Sequence, residues 1–101
     1  MTHEDFIAFL SEAQEHQREV LASKNKEYAP NSDKMANFKK AGRAAGKPAE
    51  EMLWAFAMKH FISIQDIVYG DTEYTPEIMR EKCGDFRNYL ILLEALLSEK
   101  L

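Results

Sequence analysis

The feature that most constrains this chain is a segment that would be apolar on nearly every side of a helix. It lies between Pro48 and Gly70, and helical geometry turns its large apolar side chains in almost every direction. They are Leu53, Trp54, Phe56, Phe61, Ile62, Ile64, Ile67 and Val68. Such a helix must be buried on all sides, and residues 90–97 repeat the pattern. One core in 101 residues cannot cover both, so we expect a homodimer or higher homo-oligomer. Coverage by shorter helices and loops is the alternative.

Local signals divide the first half of the chain into two helices. Thr2 and Asp5 have the spacing of a capping box, which predicts the start of helix one. Pro30 predicts the end of that helix, because the residue before a proline disfavours the helical conformation. Residues 31–33 are candidate caps for helix two, and Gly46 is its expected terminator.

The second half contains two longer helices. Pro48 is expected at the first position of helix three, which should run to Val68 or Tyr69. Thr75 is expected to cap helix four, which should continue almost to Leu101. No alternating apolar pattern predicts a strand. We therefore expect a single all-α domain over residues 1–101, a compact bundle of about four helices.

Charge and cysteine content exclude several classes of function. The net charge of −4 argues against binding of extended nucleic acid, which requires a basic surface. Cys83 is the only cysteine, so the chain has no internal disulfide and no cysteine metal cluster. The N-terminus is polar and acidic, and the longest apolar run is too short to span a membrane. We expect a cytoplasmic protein without a membrane partner.

Polar side chains at helical spacing interrupt the apolar background of helices three and four, with His60 and Tyr89 at their edges. We call them the polar stripe: Lys59, Ser63, Asp66, Glu81, Asp85 and Asn88. Carboxylates of Asp66, Glu81 and Asp85 facing one another would suit Mg²⁺, and Lys59 would hold a phosphate oxygen. A metal ion and a lysine beside phosphate groups are typical of sites that catalyse phosphoryl transfer. The candidate catalytic residues are therefore Glu81, Asp85 and Lys59.

A structural interpretation of the same stripe stays open. Lys59 would then form a plain ion pair across the helix interface with one of the three carboxylates. In either case the apolar stripe of helix four, which contains Met79, Cys83, Phe86 and Leu90, should enter the core. Gly84 should permit close approach of another backbone.

Three motifs in fixed order resemble those of small bacteriophage and prophage proteins. The first is K-N-x-x-Y from Lys24 to Tyr28, followed by Asn37-Phe38. The second joins Trp54 to Met58-Lys59-His60, and the third is D-x-x-N-Y from Asp85 to Tyr89. These phage proteins look like relatives of the MazG-like nucleotide pyrophosphohydrolases, and the likeness covers about residues 20–97.

The resemblance implies an oligomeric helical protein that binds a nucleotide and uses Mg²⁺ held by carboxylates of two helices. It would hydrolyse a nucleoside triphosphate to the monophosphate and pyrophosphate, in a host cytoplasm if phage-encoded. The family's E-x-x-E pair matches Glu12 and Glu15. Its E-x-x-D pair is not reproduced, because Lys82 occupies the position three residues before Asp85 where the motif has an acid. The residues implied in nucleotide binding are Lys24, Asn25, Tyr28, Asn37, His60, Asn88 and Tyr89.

Three functions remain open from the sequence. The first is a Mg²⁺-dependent nucleotide pyrophosphohydrolase. The second is a non-catalytic binder that sequesters a nucleotide or a nucleotide signal, which the irregular acidic motif favours. The third is a helical interaction protein that acts on a host protein through a structural stripe.

Overall fold

The computed structural model describes residues 1–28 and 33–101, with side chains for residues 1–23 and 33–101. Four α-helices lie in these ranges, and no strand does: α1 (His3–Tyr28), α2 (Ala36–Ala45), α3 (Ala49–Val68) and α4 (Pro76–Ser98). The all-α prediction is confirmed. None of the four helices, over their described residues, is long and apolar enough to cross a membrane.

Local hydrogen bonds at the starts of α1 and α4 follow the sequence signals, whereas the start of α3 differs by one residue. The Thr2 hydroxyl accepts from the Asp5 N–H at 3.0 Å, and the Asp5 carboxylate accepts from the Thr2 N–H at 3.2 Å. Thr75 caps α4 by accepting from the Ile78 N–H at 3.1 Å. Pro48 is the cap of α3 rather than its first helical residue.

The connection around α2 differs from the expected one at its start. Asp33 accepts a hydrogen bond from the Met35 N–H at 2.9 Å, although α2 itself begins at Ala36 without a side-chain cap. The other candidate caps, residues 31 and 32, lie outside the described residues. Gly46 ends α2 with a φ of 67°, a conformation that glycine adopts without strain, so the predicted terminator is confirmed.

The described helices pack in the order α1, α4, α3, α2. Helix α4 contacts α1 on one side and α3 on the other, and α2 packs on α3. Ion pairs from Lys39 to Asp33 and Glu99, and from Lys100 to Glu50, connect the ends of α2, α3 and α4. In this arrangement α1, α2 and α4 together border a cleft.

The core of this arrangement is small. Its buried apolar residues are Met35, Leu53, Ala57 and Leu96, and the partly buried Phe38 and Tyr89 are among those that pack against this core. Large side chains on α1, α3 and α4 remain exposed: Phe6, Ile7, Phe9, Leu10, Trp54, Phe56, Phe61, Ile62, Val68, Leu90, Ile91 and Leu97. The radius of gyration is 15.6 Å, whereas about 13 Å is typical of a compact 100-residue domain. One chain therefore leaves uncovered the apolar faces that its sequence predicts to be buried.

Candidate functional site

A cleft of about 260 Å³ lies where α1, α2 and α4 meet. Helix α4 forms one wall with four side chains at helical spacing, α1 contributes the second wall, and Phe38 of α2 the third. The lining residues are Val20, Leu21, Phe38, Asp85, Asn88, Tyr89 and Leu92. Three of the polar positions expected in the site, Asp85, Asn88 and Tyr89, are therefore together in one apolar cleft, which we call the Asn88 cleft.

Asn88 is the most unusual residue of the Asn88 cleft. It is only 7% exposed, and its Oδ1 atom is buried without a hydrogen-bond partner among the described residues. A buried amide oxygen without a donor costs roughly 1–3 kcal/mol, so such groups are rare in native structures. A ligand or bound water that donates to Oδ1 would recover that energy.

Two aromatic side chains, Phe38 and Tyr89, line the Asn88 cleft together with the amide. Tyr89 stacks on His60 of α3 with ring centroids 4.9 Å apart and an interplanar angle of 30°. Its other neighbour is Phe38, at 6.5 Å in an edge-to-face arrangement. Nδ1 of His60 lies 3.7 Å from a carboxylate oxygen of Asp85, so the two form an ion pair when the histidine is protonated. Flat rings next to an amide and a carboxylate suit a planar heterocycle that carries hydrogen-bonding groups.

The phenol of Tyr89 should titrate abnormally. Burial raises its pKa above the ordinary 10.0, and the nearby Asp85 carboxylate raises it further, because both disfavour the phenolate. The folded state thus holds this proton more tightly than the unfolded state. The contribution of this proton to the stability of the folded protein is present below pH 10. It should be lost as the pH rises through the pKa of Tyr89 in the folded state.

We expect Asp85→Asn to lower the Tyr89 pKa part of the way towards its ordinary value, because burial remains after the charge is removed. Tyrosinate absorbance during an alkaline titration, with Tyr89→Phe subtracted, measures the change. An unchanged Tyr89 pKa in Asp85→Asn would contradict this placement of the carboxylate.

The rest of the polar stripe does not gather around the Asn88 cleft. Lys59 is exposed, and within residues 1–23 and 33–101 it forms no ion pair, so the pair with Asp66, Glu81 or Asp85 is not observed. Ser63 donates to the Lys59 carbonyl of its own helix at 3.2 Å. In the same described ranges no three His, Cys, Asp or Glu side chains are close enough to hold a metal ion. The set of Asp66, Glu81 and Asp85 is thus not assembled as a metal site within one chain.

The expectation about the apolar face of α4 is wrong. The apolar stripe was expected in the core, yet Leu90 is exposed, and Met79 and Cys83 line a separate cavity against α1. The face with Asn88 is the one that packs between neighbouring helices. Among the described residues of this chain, a β-carbon on Gly84 would meet only side-chain atoms, at 3.7 and 3.9 Å, and no backbone lies within that distance.

The other implied nucleotide-binding residues divide into two groups. Asn37 is exposed on α2 and is absent from the cleft lining. The side chains of Lys24, Asn25 and Tyr28 lie outside the described residues. Phe38 also lines the cleft, although the residues implied in nucleotide binding did not include it. Its position directly after Asn37 in the quoted motif was the available signal.

Comparisons with known proteins add no relative. No family model, curated protein sequence or solved structure matches this chain.

Proposed function

We propose that this chain binds a nucleotide and that the Asn88 cleft holds its base. The observation that carries the proposal is the buried amide of Asn88, whose oxygen has no partner among the described residues. The cleft volume of about 260 Å³ accommodates a single heterocycle, and its walls are mostly apolar.

The groups around the amide determine how a base would bind. An asparagine amide presents a donor and an acceptor side by side and pairs with a base edge that presents the complementary pair. The carboxylate of Asp85 adds an acceptor on the same side of the cleft, which favours a base with an amino group. Tyr89 and Phe38 supply ring surface for stacking, a contact worth roughly 1–3 kcal/mol per base.

The phosphates would extend out of the cleft. Lys59 and Lys24 remain the proposed phosphate contacts, and the proposed relation to the MazG-like group rests on the sequence motifs. Mg²⁺ remains a proposal as well, but Asp66, Glu81 and Asp85 do not fit a complete metal site within the described part of one chain. These residues do not supply a hydrolytic step, and the non-catalytic binder is the form of the proposal that they support.

Asn88→Leu tests the proposal because its two effects have opposite signs. Without ligand, the variant should be as stable as the parent or more stable by about 1 kcal/mol, since a buried polar group without a partner is removed. The stabilisation that nucleotides give to the parent protein should be lost. Thermal unfolding with a panel of nucleoside triphosphates and monophosphates, with and without Mg²⁺, measures both effects.

Gln14→Leu is the control, because it also replaces a side-chain amide with leucine, at an exposed position of α1 outside the cleft. This variant should keep the nucleotide effect. If no nucleotide stabilises the parent protein, the proposal is wrong and the helical interaction protein becomes the better hypothesis. If the parent protein releases pyrophosphate from a nucleoside triphosphate in the presence of Mg²⁺, the pyrophosphohydrolase becomes the leading hypothesis again.

A further inference from the structure

One face of α4 has no partner helix in the described chain. It lies between the sides that contact α1 and α3. Leu90 and Leu97 are 41% and 45% exposed on it. At its C-terminal end they line an open groove of about 660 Å³ together with Leu93. Towards the N-terminus of α4, Met79 and Cys83 continue this surface in the 180 Å³ cavity against α1. We call this surface the open face of α4.

The spacing of its apolar residues is that of a helix-pairing seam. Alternating steps of four and three residues separate the members, which gives the 3.5-residue repeat by which one helix packs along another. The series is Met79, Cys83, Phe86, Leu90, Leu93 and Leu97. Phe86 stacks on Phe61 of α3 at 6.0 Å and therefore lies at the edge of the seam. Leu93 packs partly against the core, and Met79 and Cys83 face the cavity against α1, so Leu90 and Leu97 are the members most open to a second helix.

Charged residues border this seam on the side of α1. Arg80, Arg87 and Glu94 follow one another at seven-residue intervals, and none of them forms an ion pair within the described residues. Arg87 and Glu94 stand on either side of Leu90, about 10 Å apart along the axis. The opposite edge of α4 is occupied within the chain, because Tyr89 and Leu96 pack in the core there.

This charge order fits a second copy of α4 running in the opposite direction. A two-fold axis near Leu90 brings Arg87 of one copy beside the residue seven positions further along the other copy, which is Glu94. A parallel pair would place the charged edges on opposite sides of the seam, where they could not meet. In paired helices, ion pairs between the charged residues that flank the apolar seam determine which helices pair and in which orientation.

The exposed area is also large enough to supply a dimer interface. The chain has an accessible surface of 7550 Å², whereas about 5,900 Å² is expected for a folded monomer of 11.7 kDa. A standard interface buries about 800 Å² on each partner, which the excess can supply. The net charge of −4 disfavours an anionic membrane or nucleic acid as the occupant.

We propose that the protein forms a two-fold dimer through antiparallel pairing of the open face of α4, with Arg87 bound to Glu94 of the partner subunit in two symmetric ion pairs. The interface also covers the cavity between α1 and α4. It leaves the Asn88 cleft accessible, because that cleft lies on a different side of α4. The dimer does not depend on nucleotide binding.

Charge reversal tests the pairing. Arg87→Glu and Glu94→Arg should each weaken dimerisation tenfold or more, because two attractions become two repulsions. The double variant Arg87→Glu/Glu94→Arg should recover the dimer. An equimolar mixture of the two single variants should give a heterodimer, since each copy then carries the charge that the other lacks. Sedimentation equilibrium measures all four, and circular dichroism checks that each variant folds.

Arg43→Glu and Glu73→Arg are the controls, because both make the same charge reversals at exposed positions away from the open face. Both should dimerise as the parent does. A monomeric parent at micromolar concentration would overturn the proposal. So would single variants that dimerise normally, or a double variant and a mixture that both stay monomeric.

Discussion

Leu53→Ala should lower the free energy of unfolding by about 3 kcal/mol, the largest effect we expect from any single truncation. Leu53 has an exposure of 0% and is the only large side chain buried so completely among the described residues. Removing its methyl groups leaves a cavity among Met35, Leu96 and their neighbours, at a cost of roughly 2–5 kcal/mol. Total stabilities of 5–15 kcal/mol are usual, so the loss should appear as a large fall in the urea midpoint.

Ile62→Ala is the control on the same helix. Ile62 is 52% exposed, so we expect a loss below 1 kcal/mol. A loss as large as that of Leu53→Ala would mean that the exposed side of α3 is buried in the assembled protein. The interface would then lie on α3 rather than on the open face of α4.

Gly42→Ala should destabilise the turn between α2 and α3 by about 3 kcal/mol, although alanine is the better helix former. A β-carbon at position 42 would lie 2.5 Å from the Lys47 carbonyl oxygen and 3.3 Å from the Ala49 nitrogen. These are backbone atoms, and the Lys47 N–H donates to the Gly42 carbonyl at 2.9 Å, so the turn cannot move without losing that bond. Overpacking of this kind costs typically 1–3 kcal/mol and occasionally more.

Gly84→Ala is the matched control, because Gly84 is also a buried glycine within a helix. Its new methyl group would make only ordinary contacts with His16 and Arg87. We expect a gain of up to about 1 kcal/mol from the reduced freedom of the unfolded chain. Chemical denaturation of the two variants separates the effects. Equal losses would refute the close α2–α3 approach at Gly42.

The candidate site was only partly predictable from the sequence. Asp85, Asn88 and Tyr89 are close in sequence on one helix, so their spacing identified them as a group. Lys59 and Asp66 belong to another helix, and whether they join that group depends on how α3 is rotated against α4. In the structure His60 lies beside Asp85 of the cleft, whereas Lys59 is exposed. Helical spacing carries no information about that rotation.

Several helix ends were determined by the sequence itself, because the hydrogen bonds that cap a helix join residues at most a few positions apart. Thr2, Thr75 and Gly46 needed no tertiary information to be assigned. Only the tertiary structure decided which face of α4 is covered. An apolar stripe indicates burial in general, whereas the partner that covers it is set by long-range packing. In this chain the neighbours of α4 cover Asn88 and leave Leu90 exposed, so the buried amide became visible only once all four helices were in place.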